Sequence, residues 1–233
     1  VITEVTVKIL RTPEVVKAAL IGFPTIEDAG NCVAEIIAQG CIPAGMEIMD
    51  KALTKATNDY SKAGYPTDAE GMMIVEFDGT EYEVNAYIEK VKNIAEKNNS
   101  SSLKISKSND ERLKFWAGRK AAFPACGVLA PDYMCMDGSI PRGKLAEVLN
   151  EITRLSKKYN LPVANAFHAG DGNLHPLIMF DANDPEELKK CEEFGADILK
   201  YCVKVGGALT GEHGVGIEKR ELMCEAFNDK DIQ

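Results

Sequence analysis

Hydrophobic and polar residues alternate along this chain in segments that predict short strands interleaved with amphipathic helices. Residues 1–10 alternate with the period of two that is typical of a strand, and residues 18–23 form a second apolar run. Thr25 is a residue type that caps helices, and the apolar stripe that follows it predicts a helix ending before Gly40. The strongest helix signal lies at about residues 80–97, where apolar side chains recur on one face.

The order of these elements predicts the fold class. From residue 18 to 107 the order is strand, helix, strand, twice over, completed by strands at 41–49, 72–77 and 103–105 and a short helix at 50–60. We therefore predict an α+β fold: a ferredoxin-like antiparallel sheet with helices packed mainly on one face. The later predicted elements are a helix at 109–123, an extended segment at 126–138, helices at 141–159 and 184–205, and a helix from about 217.

Composition narrows the class of protein. A chain of 233 residues, 45% hydrophobic and 27% charged, can bury a sizeable core. The formal net charge of -9 argues against nucleic acid as a partner, because phosphate binding needs a surplus of Lys and Arg. The seven cysteines form no CxxC pair, and we see no leader or membrane-length apolar run. These features predict reduced, mostly buried thiols and a cytoplasmic location.

Two of the three histidines flank a predicted hairpin turn. His168 and His175 lie on either side of Asp171-Gly172, a dipeptide favoured in two-residue turns, and apolar runs continue on both sides. A turn centred on that dipeptide pairs His168 directly with His175 on one face. Directly opposed Cβ atoms are about 4.5–5.5 Å apart, so the two imidazoles could share one metal ion.

The third histidine lies in a glycine-rich loop at 206–216. The glycine spacing fits neither a Rossmann fingerprint nor a P-loop, so it gives little support for a nucleotide site. The glycines would instead let the backbone bring Glu212 and His213 into a crowded site. Two imidazoles and a carboxylate are a common ligand set for Zn, Mn or Fe, so we predict a divalent metal bound by His168, His175 and Glu212.

Each of these residues could instead have a purely structural role. A single histidine beside a turn is more often a hydrogen-bonded structural residue than a ligand. Two histidines in hairpin register, together with the pair Glu212 and His213, favour a site. Asn173 stays open between a turn residue that hydrogen-bonds locally and a substrate contact, because it is predicted to share the histidine face.

The motifs are specific enough to resemble a known family. The segments HAGDGNLHP (168–176) and TGEHGVG (210–216) together resemble the C-terminal domain of FAD-linked oxidases in the vanillyl-alcohol oxidase superfamily, in the group with the glycolate oxidase flavin subunit and D-lactate dehydrogenases. The segments WAGRKAAFP (116–124) and PDYMCMDGSIP (131–141) agree with it. The resemblance implies that residues 1–233 are the substrate (cap) domain, a fragment that lacks the FAD-binding domain.

The same resemblance implies roles for individual residues. It implies an FAD-dependent 2-hydroxy-acid oxidoreductase whose flavin is bound mainly by an N-terminal domain of the same polypeptide, and it assigns the metal to the three ligands predicted above. His213 matches the residue that takes the substrate hydroxyl proton. Arg119 matches the arginine that binds the substrate carboxylate through its bidentate fork, and Asn173 would lie beside the substrate.

The substrate class follows from one difference within the family. Relatives that oxidise dicarboxylates carry extra basic residues where this chain has Phe123 and the segment 134–136, which is apolar apart from Cys135. We therefore expect a small 2-hydroxy monocarboxylate, glycolate or D-lactate. The chain alone should bind no flavin tightly and be inactive, and partner electron-transfer subunits could attach the full enzyme to a membrane.

Two other classes of protein stay open from the sequence. One is a stand-alone ferredoxin-like metal-binding regulatory module, which would be favoured if the natural polypeptide ended where this chain does. The other is a metal-dependent hydrolase that uses the same ligands with His213 as the base. Turnover of esters or amides by the chain alone would favour the hydrolase.

Overall fold

A computed structural model describes residues 2–232 and shows strands and helices alternating through most of that range. The strands are β1 (Val15–Phe23), β2 (Gly45–Asp50), β3 (Gly71–Gly79), β4 (Ser102–Ile105), β5 (Asp132–Cys135), β6 (Gly138–Ser139), β7 (Val163–Phe167), β8 (Asn173–Leu174) and β9 (Pro176–Phe180). The helices are α1 (Ile26–Ala38), α2 (Lys51–Ser61), α3 (Glu81–Lys97), α4 (Asn109–Lys120), α5 (Ala122–Ala125), α6 (Leu145–Tyr159), α7 (Pro185–Lys204), α8 (Met223–Ala226) and α9 (Asp229–Ile232).

The main sheet is antiparallel throughout its described pairs. Its seven strands run in the order β4-β1-β3-β2-β7-β9-β5, and β6 pairs with β8 in a separate two-stranded sheet. The order brings β2 beside β7, although more than 100 residues separate these two strands. This pairing matters for function because it joins the N-terminal strands to the histidine hairpin.

Local sequence explains where several helices begin. The side chain of Thr25 accepts the N–H of Asp28, which caps α1 as predicted. Thr80 and Glu83 form a reciprocal capping box at the start of α3, whose apolar face is buried. The predicted helices at both places are therefore confirmed.

Both faces of the main sheet carry helices. Strand β1 illustrates the division, since Ile21 packs into one apolar cluster and Leu20 into the other. The four longest helices, α1, α3, α6 and α7, cover the first face, while the shorter α2, α4 and α5 cover the second. The predicted α+β class with an antiparallel sheet is confirmed. Helices were predicted mainly on one face, which holds for the four longest, while α2, α4 and α5 add a second layer on the other face.

Three predicted elements were wrong. Residues 2–10 are exposed and irregular instead of forming a strand, while Val1 lies outside the described residues; Ile9 and Leu10 are each 87% exposed. Alternation makes a strand only where a neighbouring strand supplies backbone hydrogen bonds, and none of the seven strands of the main sheet pairs with residues 2–10. The predicted extended segment at 126–138 begins with a 3-10 turn at Cys126–Val128, so only its second half forms strands.

The helix predicted from residue 217 is the third correction. Residues 216–218 form a turn, followed by a 3-10 turn at Arg220–Leu222 and then α8. The side chain of Lys219 points inward and contacts Asp137. The sequence did not predict this contact.

The structure gives the environment of the cysteines and the character of the helices. All seven cysteines are unpaired, five of them buried, with Cys135 half-buried and Cys224 exposed. Within residues 2–232, no helix combines the length and the apolar character needed to cross a membrane.

Candidate functional site

The histidine hairpin forms with a register that differs from the prediction. Asn165 pairs with Pro176 and His168 pairs with Asn173, so His175 lies beyond the position opposite His168. The loop contains four residues, 169–172, because the N–H groups of both Asp171 and Asn173 donate to the carbonyl of His168. In the predicted two-residue turn, Gly170 and Asn173 would instead be directly paired on either side of Asp171-Gly172.

The register error does not separate the two histidines. The predicted and observed partners of His168 differ by two residues, and a shift of two keeps every side chain on its original face. The His168 and His175 ring centroids are 5.0 Å apart, nearly perpendicular. The predicted sharing of one face is therefore observed, through a diagonal instead of a direct pair.

The glycine-rich loop brings Glu212 to both rings. Its Oε1 atom lies 3.2 Å from Nε2 of His175 and 3.6 Å from Nε2 of His168. Potential ligand atoms of the three residues all lie within 4.8 Å of one another. The structure thus brings the three predicted metal ligands together.

The state of His175 tests whether this set suits a metal. His175 is 2% exposed, and both of its ring nitrogens lack a hydrogen-bond partner, since the Glu212 contact does not have hydrogen-bond geometry. Burial, followed by the charges of His168 and His213, lowers the pKa of His175 to about 4. A neutral, buried imidazole with an uncommitted nitrogen is what a divalent ion would satisfy, so the residues fit the metal.

Glu47 is a site residue that the sequence analysis missed. Its Oε1 atom lies 2.7 Å from Nδ1 of His168, a contact that raises the pKa of His168. With the Nδ1 proton donated to Glu47, Nε2 of His168 is free on the side of Glu212. The available signal was a charged residue in the interior of strand β2, between Met46 and Ile48.

Arg119 reaches the site from α4 and is paired with the same carboxylate. Its Nε atom donates to Oε2 of Glu47 at 2.9 Å, and the arginine is 7% exposed. Its Nη2 group makes no hydrogen bond of good geometry, although it also lies 2.9 Å from Oε2. Arg119 therefore keeps donor capacity in a buried position.

Asn173 lies against the glycine-rich loop. The asparagine is buried, its Oδ1 atom has no hydrogen-bond partner, and a Cβ atom placed on Gly211 would come within 2.0 Å of that oxygen. The absence of a side chain at Gly211 is thus required for the loop to lie on Asn173.

Asp137, a second residue to which the sequence assigned no role, anchors that loop. Its Oδ2 atom accepts the N–H groups of Gly211, Glu212 and His213 at 2.9, 2.7 and 2.8 Å. The buried ammonium of Lys219 contacts its Oδ1 atom. Burial opposes ionisation of Asp137, but the N–H group of His213 and the charge of Lys219 outweigh it and lower its pKa to about 2.

His213 is the accessible imidazole of the site. Its side chain is 44% exposed and its ring stacks on that of His175, with centroids 5.0 Å apart. Nε2 of His213 lies 3.8 Å from Oε1 of Glu212, and Nδ1 lies 4.0 Å from Oδ1 of Asp137. Phe123 adds an apolar wall, because its ring packs edge-on against His175 at 6.0 Å.

Sequence comparison identifies relatives of the whole chain. The family described as FAD linked oxidases, C-terminal domain, matches residues 12–233. The chain is 51% identical over 232 residues to glycolate oxidase subunit GlcD of Escherichia coli (strain K12), covering 100% of this chain and 46% of that protein. It is 31% identical to the mitochondrial D-lactate dehydrogenase [cytochrome] of Arabidopsis thaliana, covering 97% of this chain and 41% of that protein.

Comparison of folds agrees with the sequence match. The structure of 4-ethylphenol oxidase from Gulosibacter chungangensis superimposes with a TM-score of 0.64 at 11% identity, over 93% of this chain and 51% of that one. p-Cresol methylhydroxylase gives a TM-score of 0.61 at 16% identity, over 84% of this chain and 45% of that one. The chain spans about half the length of the curated relatives it matches. It belongs to the family of FAD linked oxidases, whose C-terminal domain it matches from residue 12 onward.

Proposed function

We propose that this chain is the substrate-binding domain of an FAD-dependent dehydrogenase that oxidises glycolate or D-lactate to the 2-oxo acid. The observation that carries the proposal is the convergence of a fitting metal-ligand set with one accessible imidazole, His213, on the histidine hairpin. The relatives named glycolate oxidase and D-lactate dehydrogenase support the substrate class. The comparisons give no support to a regulatory module or a hydrolase.

The two groups that this chain would need are a metal and a flavin. A divalent ion, Zn, Mn or Fe, held by His168, His175 and Glu212 would act as a Lewis acid toward the substrate hydroxyl. FAD, bound mainly by an N-terminal domain of the same polypeptide, would supply the hydride-accepting chemistry. The remaining work of catalysis falls to side chains of this chain.

His213 is assigned the proton transfer. Its partial exposure lets a substrate reach the ring, and its Nε2 atom lies on the side of Glu212, so we assign the hydroxyl proton to Nε2. The N–H of His213 is fixed by Asp137, which holds the backbone of the loop. The loop therefore presents the base from a fixed main chain.

Arg119 is assigned the substrate carboxylate. The Nη2 donors lack hydrogen bonds of good geometry, and Glu47 neutralises the guanidinium while the substrate is absent. Asn173, with an unpartnered Oδ1 atom on the same face as His168, is assigned a contact beside the substrate.

The surroundings of His175 support a small monocarboxylate. Phe123 packs on the ring of His175 and Tyr133 packs on Phe123, with ring centroids 6.1 Å apart in the second pair. Cys135 completes this side of the site. These three residues offer no cation to a second carboxylate, and burying an unpaired carboxylate there would be costly.

The partners of this chain follow from the same assignment. The substrate is a small molecule, the FAD domain belongs to the same polypeptide, and separate electron-transfer subunits accept the electrons, in the cytoplasm or at a membrane surface. The acidic net charge of -9 again argues against nucleic acid.

The test uses the full-length flavoprotein and measures bleaching of the flavin by glycolate or D-lactate without oxygen. Replacing His213 by Gln should slow flavin reduction by about 100-fold to 10,000-fold, the usual contribution of a general base. Replacing Arg119 by Lys should mainly raise the substrate concentration needed for half-maximal reduction, since a point charge replaces a bidentate fork.

The matched control is Arg112→Lys, because Arg112 lies on the same helix and pairs with Glu76 instead of Glu47. It should leave both parameters unchanged. Reduction of the His213→Gln variant at the wild-type rate would refute the assigned base. Reduction by neither hydroxy acid in the wild type would refute the substrate class.

A further inference from the structure

We propose that Cys135, His175 and His213 form a second coordination set, which binds a thiophilic divalent cation such as Zn²⁺ and shares His175 with the first set. Occupation of this set would inhibit the enzyme, because it ties up the imidazole that the proposed function assigns as base. The inhibitory consequence rests on that proposed function, while the coordination itself does not.

The ligand atoms of the three residues lie slightly farther apart than those of a zinc site with the ion bound. One ligand atom of each lies within 4.8 Å of the other two. Zn–S bonds of about 2.3 Å and Zn–N bonds of about 2.0 Å place tetrahedral ligands roughly 3.3–3.8 Å apart. The set must therefore contract by about 1 Å. His213 can supply that movement by rotation of its exposed side chain, while Asp137 holds its backbone in place.

The sheet places Cys135 on the same face as His175. Cys135 in β5 is directly opposite Leu177 in β9, so His175, two residues before Leu177, is its diagonal neighbour on the same face. Cys135 and His175 are therefore held by the sheet, and the loop delivers His213 onto the ring of His175. Two ligands come from the sheet, and the third is an exposed side chain that can rotate.

The ligand atoms and the space around them are available. Neither nitrogen of His175 has a hydrogen-bond partner, and all seven cysteines, Cys135 among them, are unpaired. Cys135 and His213 also line a cavity of about 270 Å³, together with Asp137 and residues 214–219. This cavity gives an ion a route of entry and room for a water molecule as the fourth ligand. The charge of Lys219 at its edge is neutralised by Asp137.

The two sets differ in the ions that they should prefer. The first set offers two nitrogens and a carboxylate oxygen, which suit Mn, Fe or Zn. The second offers two nitrogens and the sulfur of Cys135, whose thiol proton is released to solvent when the ion binds. A soft sulfur ligand favours Zn²⁺ or Cd²⁺ over Mn²⁺. Zinc should therefore compete for both sets, whereas manganese should remain in the first.

The experiment separates the two sets by variants of the full-length protein. Glu212→Gln removes a ligand of the first set only, and Cys135→Ser removes a ligand of the second only. Each metal-free variant is loaded with one equivalent of Zn²⁺, and the zinc ligands are identified by X-ray absorption spectroscopy. Both variants also carry Cys224→Ser, because Cys224 is the exposed thiol that could bind zinc from solution.

We expect a sulfur shell at about 2.3 Å in the Glu212→Gln protein and only nitrogen and oxygen neighbours in the Cys135→Ser protein. We also expect Cys135→Ser to weaken inhibition by added Zn²⁺ at least about tenfold, since even residues behind metal ligands alter affinity by that factor. A Glu212→Gln protein that binds no zinc, or binds it without sulfur, overturns the proposal. So does a sulfur shell that survives in Cys135→Ser.

These outcomes are independent of the proposed function. If Cys135→Ser removes the sulfur shell but neither hydroxy acid reduces the flavin, the second set stands and the substrate assignment fails. If the flavin is reduced normally and no sulfur shell forms, the reverse holds.

Discussion

Oε1 of Glu47 lies 2.7 Å from Nδ1 of His168, so a carboxylate from β2 orients a proposed metal ligand at the end of the neighbouring strand β7. The two residues are 121 positions apart in the chain. Oε2 of the same carboxylate pairs with Arg119. Glu47 thus connects the metal side of the site to the residue assigned to the substrate carboxylate.

Replacing Glu47 by Gln should lower the affinity for the divalent metal about 10-fold to 100-fold, the usual effect of losing a residue that orients a histidine ligand. An amide cannot accept the Nδ1–H as strongly, and it leaves the charge of Arg119 without a partner. Calorimetric titration of the metal-free protein measures the affinity.

Glu76→Gln is the matched control for that change. Glu76 lies on the adjacent strand β3 and pairs with Arg112 of the same helix, but its partners are Arg112 and Trp116 instead of a metal ligand. It should leave metal affinity unaltered. Equal losses in the two variants would mean that Glu47 acts only through general stability.

Replacing Asp137 by Asn should release the loop that carries Glu212 and His213. The change weakens the hydrogen bonds from the N–H groups of residues 211–213. It also leaves the buried ammonium of Lys219 without its counter-charge. Removing one partner of a buried ion pair costs about 3–5 kcal/mol of stability. Amide hydrogen exchange should accelerate at residues 211–213. The double variant Asp137→Asn with Lys219→Met should recover part of the stability, and protection unchanged from the wild type would contradict this role.

Replacing Gly211 by Ala should damage the site without touching a charged group. The added Cβ atom would lie 2.0 Å from Oδ1 of Asn173, so either the loop or the asparagine must move. We expect weaker metal binding and slower flavin reduction. Gly143→Ala is the control, because a Cβ atom there meets nothing within 4 Å and the backbone is not left-handed.

Asp50 should make stability depend on pH. Burial, only partly offset by the N–H groups of Leu53 and Asn165, raises the pKa of Asp50 to about 6. The unfolded value is about 3.9, so the folded state holds the proton more tightly. The resulting stabilisation is complete below about pH 4 and is lost as the pH rises through about 6, at most about 3 kcal/mol.

The measurement is the melting temperature at pH 5 and at pH 8. The wild type should melt at a lower temperature at pH 8 than at pH 5. In Asp50→Asn the difference between the two melting temperatures should be smaller. The amide NH₂ group would face the N–H donors of Asn165, which can lower both melting temperatures without changing that difference. An equal pH difference in the two proteins would show that Asp50 does not titrate in this range.

Local chemistry in the sequence was enough to predict much of the fold. The cap at Thr25, the capping box at Thr80 and the apolar stripes decide helices through contacts within a few residues, so each is readable from a short window. The same holds for the shared face of His168 and His175, because the strand period of two survives a register shift of two.

Only the tertiary structure decided what lies between distant segments. Glu47 and Asp137 each act on residues more than 70 positions away, and no local pattern states which strand will lie beside which. The hairpin turn also has distant partners, because the N–H of Gly170 donates to the carbonyl of Met46 and the carbonyl of Gly172 accepts the N–H of Ile140. The exposure of residues 2–10 likewise could not be predicted from their own alternation. The sequence by itself determined the residue types of the proposed ligands and the faces on which they lie. The tertiary structure decided that these residues meet, through the pairing of β2 with β7 and the anchoring of the loop on Asp137. Pairing between strands so distant in the chain cannot be inferred from local sequence, because it is a long-range contact.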